Sequence, residues 1–178
     1  MTLENRVFKS GMLLLLSTLI IGSLFIAGCG GTKDQGATTT TTSATTKQYA
    51  ANGISFDYPN TWGAGNSNNP NAIASLVSST GAFLVVLKEP LPSGYTLKTF
   101  NDQTVMGMNP AQMMSGTFPT VAGVSACESV FKTSDAQMRT DILEKDGTAY
   151  VIIFSAPMAT FDNAQTSFNM VINSFKLQ

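Results

Sequence analysis

Apolar positions recur along the chain with two periods, and each period marks an element. Ile54-Ser55-Phe56-Asp57-Tyr58 alternates apolar with polar and then meets Pro59, which predicts a strand with a firm stop. Residues 63–72 (GAGNSNNPNA) hold turn formers and predict a loop. Residues 73–78 and Phe83–Leu87 predict two further strands, the second apolar on both faces. Leu97, Phe100, Thr104 and Met108 fall at helical spacing, and Asn109-Pro110 ends or bends that helix. Val121 to Lys132 predicts one long strand. Gln137–Glu144 and Thr148–Ser155 predict a hairpin across Asp146-Gly147, the pair that supplies the positive φ angles of a two-residue type I′ turn. Tyr150 to Phe154 is apolar on both faces, as a strand covered from both sides has to be. Phe161, Ala164, Phe168, Val171, Ile172 and Phe175 then make one apolar helical stripe. The expected class is α+β, mostly antiparallel strands with one middle helix and one C-terminal helix.

Met12 to Ile26 obeys neither period. It is an uncharged apolar run behind Arg6 and Lys9, the layout of a secretory signal. It closes on Phe25-Ile26-Ala27-Gly28-Cys29, which resembles a bacterial-type lipobox. The small Ala27 and Gly28 let a peptidase approach the backbone, and the Cys29 thiol accepts a diacylglyceryl group. Residues 1–28 are thus expected to be a lipoprotein signal peptide and Cys29 the lipidated N-terminus of the mature chain. An uncleaved signal anchor is the alternative, although the run is short of the roughly 20 residues that span a bilayer comfortably. A diacyl anchor would hold the protein stably on the extracytoplasmic face of the cell membrane. Residues 29–47 comprise Cys29 and a threonine-rich tether (GGTKDQGATTTTTSATTK). That composition buries too little apolar surface to offset chain entropy, so disorder is expected there. One globular domain, 48–178, completes the expected organisation.

Composition removes several function classes. Only 12% of the 178 residues are charged, and the formal net charge is −1. No basic face can be built from so few cations, so nucleic acid is not an expected partner. The chain has no histidine, which removes the commonest general base and metal ligand. No serine elbow, phosphate loop or zinc spacing occurs, and neither a catalytic residue nor a cofactor is predicted.

The segment Ile54-Ser-Phe-Asp-Tyr-Pro59-Asn-Thr-Trp62, the late hairpin, and the terminal Phe161-x6-Phe168-x6-Phe175 together resemble the PsbP-like domain. The resemblance covers nearly all of 48–178. It implies an antiparallel sheet sandwiched by helices. It also implies kinship with extrinsic, non-enzymatic subunits that sit on photosystem II and help to retain its inorganic ions. No ion-binding residue carries over, because the histidines that would be candidates are missing.

Four kinds of side chain remain as candidate chemistry. Cys127 lies mid-strand, with no histidine to activate it and no intramolecular partner once Cys29 is lipidated; a small buried hydrophobe is expected, an intermolecular disulfide being the alternative. Met106, Met108, Met113 and Met114 crowd into MGMNPAQMM. Thioethers without histidine favour a soft ion such as Cu(I), whereas an adaptable apolar contact surface is the plainer reading. Met106 and Met108 face different ways on one helix, so a shared metal site needs a loop. Of the carboxylates, Glu144 and Asp146 flank a turn, and Arg139 and Asp141 share one strand face, where they can neutralise each other. Trp62 is expected to close the core behind the first strand. The function these readings support is a lipid-anchored, non-catalytic accessory or protein-binding module for an envelope complex. A ligand- or soft-metal-binding lipoprotein, using segment 106–114 or a pocket between sheet and helix, is the alternative.

Overall fold

The computed structural model describes residues 45–178. The signal segment, Cys29 and most of the threonine-rich tether lie outside them. The first strands are β1 (Thr46–Ala51), β2 (Ile54–Pro59), β3 (Gly63–Ala64), β4 (Ala72–Val77) and β5 (Phe83–Pro90). Helix α1 (Leu97–Gly107) follows, then β6 (Gln112–Thr117), β7 (Thr120–Val121) and β8 (Val124–Lys132). The chain closes with β9 (Ala136–Lys145), β10 (Thr148–Pro157), helix α2 (Phe161–Ser174) and β11 (Lys176–Leu177).

Every strand pairing is antiparallel, and the main sheet runs β3-β4-β5-β10-β9-β8-β6, with β7 added to the start of β8. A smaller sheet, β1-β2-β11, stands apart from it. β10 occupies the middle, and its alternation divides the core into two layers. Tyr150, Ile152 and Phe154 enter the layer shared with Phe161, Phe168 and Val171 of α2 and with Ile54 and Phe56 of β2. Val151 and Ile153 enter the opposite layer, shared with Phe100 and Val105 of α1. The class is therefore α+β, a mostly antiparallel sheet between helices, as the apolar pattern predicts. Phe168 anchors the first layer: it is fully buried, 4.3 Å from the Phe154 ring centroid and 5.7 Å from that of Phe161. Trp62 meets it edge-on at 6.2 Å and is buried, so it is a core residue.

Local chemistry sets the ends of these elements. Asp146 (φ 53°) and Gly147 (φ 72°) form the expected left-handed pair of the β9–β10 turn. Glu144 accepts the Gly147 N–H at 2.8 Å, which accounts for one of the two turn carboxylates. Thr96 caps α1: its hydroxyl accepts the Thr99 N–H at 3.1 Å, and the Thr99 hydroxyl accepts the Thr96 N–H at 2.8 Å. Ser174 ties α2 to β2 by accepting the Asp57 N–H at 2.8 Å while donating to the Met170 carbonyl.

Three expectations need correction. Thr46 and Lys47, counted with the tether, belong to β1, which turns into β2 through Asn52 (φ 56°) and Gly53 (φ 80°). Val121 to Lys132 is not one strand, because Ala122 (φ 53°) and Gly123 (φ 79°) break it into the β7–β8 hairpin. The segment after Pro110, for which the apolar pattern predicts no element, forms β6 along the side of β8.

Candidate functional site

The surface around α1 and β6 gathers most of the exposed large apolar side chains among the described residues. Met106 on α1 is 69% exposed, Met113 and Met114 on β6 are 51% and 47% exposed, and Phe118 just beyond β6 is 70% exposed. β6 lies at one end of the main sheet and is exposed along its whole length. A bulge between Met113 and Ser115 interrupts its ladder with β8.

Between α1 and β6 runs an open cleft of about 190 Å³. Met113 and Phe118 line one side of it, and Lys98 and Asp102 of α1 the other. Cys127 and Ser129 of β8 form its floor. The cleft is open because Gly116 pairs with Ser129 in register and places no side chain over it. Asn101 and Ser129, both buried, bond one another across its base, with Asn101 Nδ2 donating at 3.1 Å. Lys98 and Asp102 form an exposed ion pair at 2.7 Å, one helical turn apart, so the rim carries no unbalanced charge.

Cys127 is a free thiol, only 3% exposed. Burial pushes its pKa above the ordinary thiol value; Asp102 adds to that rise and Lys98 partly opposes it. Such a thiol stays protonated at neutral pH and is a poor nucleophile. It is buried, as expected of a small hydrophobe.

The candidate methionines do not share a lining. Met108 packs against the α1-side core, Met106 stands in solvent, and of the four only Met113 lines the cleft. Among the described residues, no three of His, Cys, Asp and Glu converge as metal ligands.

Sequence reasoning placed Arg139 and Asp141 together but missed their burial and their third partner. Arg139 donates to both oxygens of Asp141, at 2.8 and 3.1 Å, and meets Glu128 at 2.7 Å. Its remaining arm donates to Asn169 of α2 at 2.9 Å, and Thr117 of β6 donates to Glu128 at 3.2 Å. Asp141 is wholly buried. That burial raises its pKa from 3.8 to about 6, against the hydrogen bonds and charge of Arg139 and with a further push from Glu128. The facing pair Glu128↔Asp141 on neighbouring strands is fixed by the β8–β9 register, which the sequence does not display.

A second shallow cleft of about 200 Å³ lies between the start of α2 and the β4–β5 turn, lined by Ser78, Thr80, Thr160, Asn163 and Ser167 over Trp62.

By sequence, neither a family model nor a curated protein matches the chain. By structure the domain is PsbP-like. It superposes on cyanobacterial PsbP from Synechocystis with a TM-score of 0.54 at 16% identity, over 80% of this chain and 98% of that one. LpqN of Mycobacterium tuberculosis, described as involved in cell envelope biogenesis, matches with a TM-score of 0.50 at 14% identity, over 70% of this chain and 83% of that one. A protein of Bacteroides thetaiotaomicron matches with a TM-score of 0.53 at 12% identity, over 75% of this chain and 49% of that one. Identities this low speak to the fold alone.

Proposed function

We propose that the chain is a lipid-anchored accessory module that works at the extracytoplasmic face of a cell membrane by docking another protein chain, without catalysis. The observation that carries this reading is the exposed apolar group Met106, Met113, Met114 and Phe118 around one sheet edge. Large apolar side chains left open to water around one edge are costly there and mark a contact site. Methionine suits such a surface because its flexible thioether repacks against varied partners. The groups that could do chemistry nearby are engaged with each other instead: Lys98 with Asp102, and Asn101 with Ser129. The thiol of Cys127 is held protonated. The lipobox-like segment ending at Cys29 supports the anchor and the location. The likeness to PsbP and to an envelope-biogenesis protein fits an extracytoplasmic accessory role.

A photo-activated cross-linking residue at Phe118 of the full membrane-bound chain tests the docking. A protein adduct at Phe118, missing from the same probe at exposed Thr166 on α2, supports the reading. Equal adducts at both positions, or none at either, would sink it. Mass measurement of the mature N-terminus tests the anchor, which requires an acylated Cys29.

A further inference from the structure

We infer that the cleft at the start of α2 binds one ring of a neutral carbohydrate, at a site that shares no residue with the docking face. The cleft lies between the beginning of α2 and the β4–β5 turn and measures about 200 Å³. That suits a single sugar ring and falls short of the roughly 300 Å³ at which sites for drug-sized ligands begin.

The polar groups around it are of two kinds, spent and unspent. Ser78 is spent: its hydroxyl accepts the Ala82 N–H at 2.9 Å and pairs with the Thr80 hydroxyl at 2.9 Å, which fixes the turn. Asn163 and Ser167 line the cleft one helical turn apart, on one side of α2, and neither side chain has a partner among the described residues. Trp62 lies beneath with 5% of its surface open, and its indole N–H donates to no group among the described residues. The sealed side-chain polar atoms without a partner among those residues are Ser75 Oγ and Thr140 Oγ1, so the indole N–H keeps contact with solvent. A buried tryptophan usually pairs that N–H, and a ligand hydroxyl in the cleft would do so.

Charge then selects the class of ligand. No Asp, Glu, Lys or Arg lines the cleft. The start of α2 is the positive end of a helix dipole, and Thr160 puts no side-chain cap on it, which disfavours a cation. Asp162 in the first turn offsets that field, which disfavours an anion. A neutral ring with neighbouring hydroxyls meets the remaining groups. Its hydroxyls donate to and accept from the Asn163 amide and the Ser167 hydroxyl, while its C–H face rests on Ala82 and Ala164.

Trp62 is the one tryptophan of the chain, so its emission reports on this cleft. The test titrates the full chain, in a detergent without a sugar head, with glucose, galactose, mannose and N-acetylglucosamine. A saturable change in emission with at least one of them is the expected result. The Asn163→Ala/Ser167→Ala double variant should weaken that binding about tenfold or more, because two hydrogen bonds are lost. Alanine favours a helix, so the double variant should fold, and its melting curve checks that it does. The 6-phosphate of the bound sugar should bind more weakly than the sugar itself. No saturable change with any of the four sugars would overturn the inference. So would binding that survives the double variant, or a 6-phosphate that binds as tightly as the neutral sugar. The Phe118 adduct tests the docking reading separately, and either reading can fail without the other.

Discussion

The buried Arg139–Asp141 pair shows how one residue can give the fold a pH dependence. Asp141 has its pKa raised from 3.8 to about 6, so the native state holds a proton on it more tightly than the unfolded chain does. Stability from this group is therefore fully present below about 4 and is lost as pH rises towards 6, the reverse of an ordinary salt-bridged aspartate. Arg139 has a second carboxyl partner besides Asp141, because Glu128 lies 2.7 Å away. Urea unfolding from pH 4 to pH 7 should show this decline, on the order of 1–3 kcal/mol. Asp141→Asn, which cannot titrate, should flatten it; a slope unchanged in that variant would place its origin elsewhere. Cys127 makes a second case at the same scale. Its burial and raised pKa predict alkylation by iodoacetamide at pH 7 at least about tenfold slower in the folded chain than in urea. Equal rates in the two states would show that the thiol is open to solvent through the cleft.

At the scale of elements, legibility in the sequence followed burial. Strands with one or two buried faces announced themselves, as Tyr150 to Phe154 and Ile54 to Tyr58 show, because a core face forces a period. The stripe from Phe161 to Phe175 did the same for α2. Strand β1 sets only Tyr49 against the core and β6 is exposed throughout, so no period marked them. For β1 the signal lay in Asn52-Gly53, a type I′ pair. For β6 only its pairing with β8 reveals the strand, and that contact is not local. The proposed docking surface was thus half legible: the crowding of methionines was visible, the place of Met113 and Met114 on an open edge was not. Packing predicts the largest single loss for α2. Phe168 is fully buried against Phe154, Phe161 and Trp62, so Phe168→Ala should cost roughly 3–5 kcal/mol in urea unfolding. A loss below about 1 kcal/mol would mean that the first layer refills the space and that α2 is not anchored there.

For the whole molecule, the proposed anchoring and docking fall on different ends of the main sheet. The β1–β2 hairpin fastens to β4 near the β3 end, where Tyr49 and Asn52 both donate to the Ile73 carbonyl. Through these contacts the β1–β2 hairpin, with which the described residues begin, sits at the β4 side, while β6 closes the far side of the sheet. Five strand steps separate β4 from β6, about 24 Å at ordinary spacing. A module held by its N-terminal segment thus keeps the apolar edge remote from its point of attachment, and anchoring and docking need not compete for one surface. That separation predicts that the two duties come apart under mutation. Phe118 is 70% exposed and contributes little to the core, so Phe118→Glu should leave stability within about 0.5 kcal/mol of the parent. The same variant places a charge in the proposed apolar contact, and it should abolish the protein adduct formed by a photo-activated residue placed at Met113. Cys29→Ser should do the converse, releasing the chain from the membrane fraction with its melting curve unchanged. If Phe118→Glu instead lowers the melting temperature as much as Phe168→Ala does, Phe118 serves the fold and the docking face has been misassigned. If Cys29→Ser chain stays with the membrane fraction, the anchor lies elsewhere than Cys29.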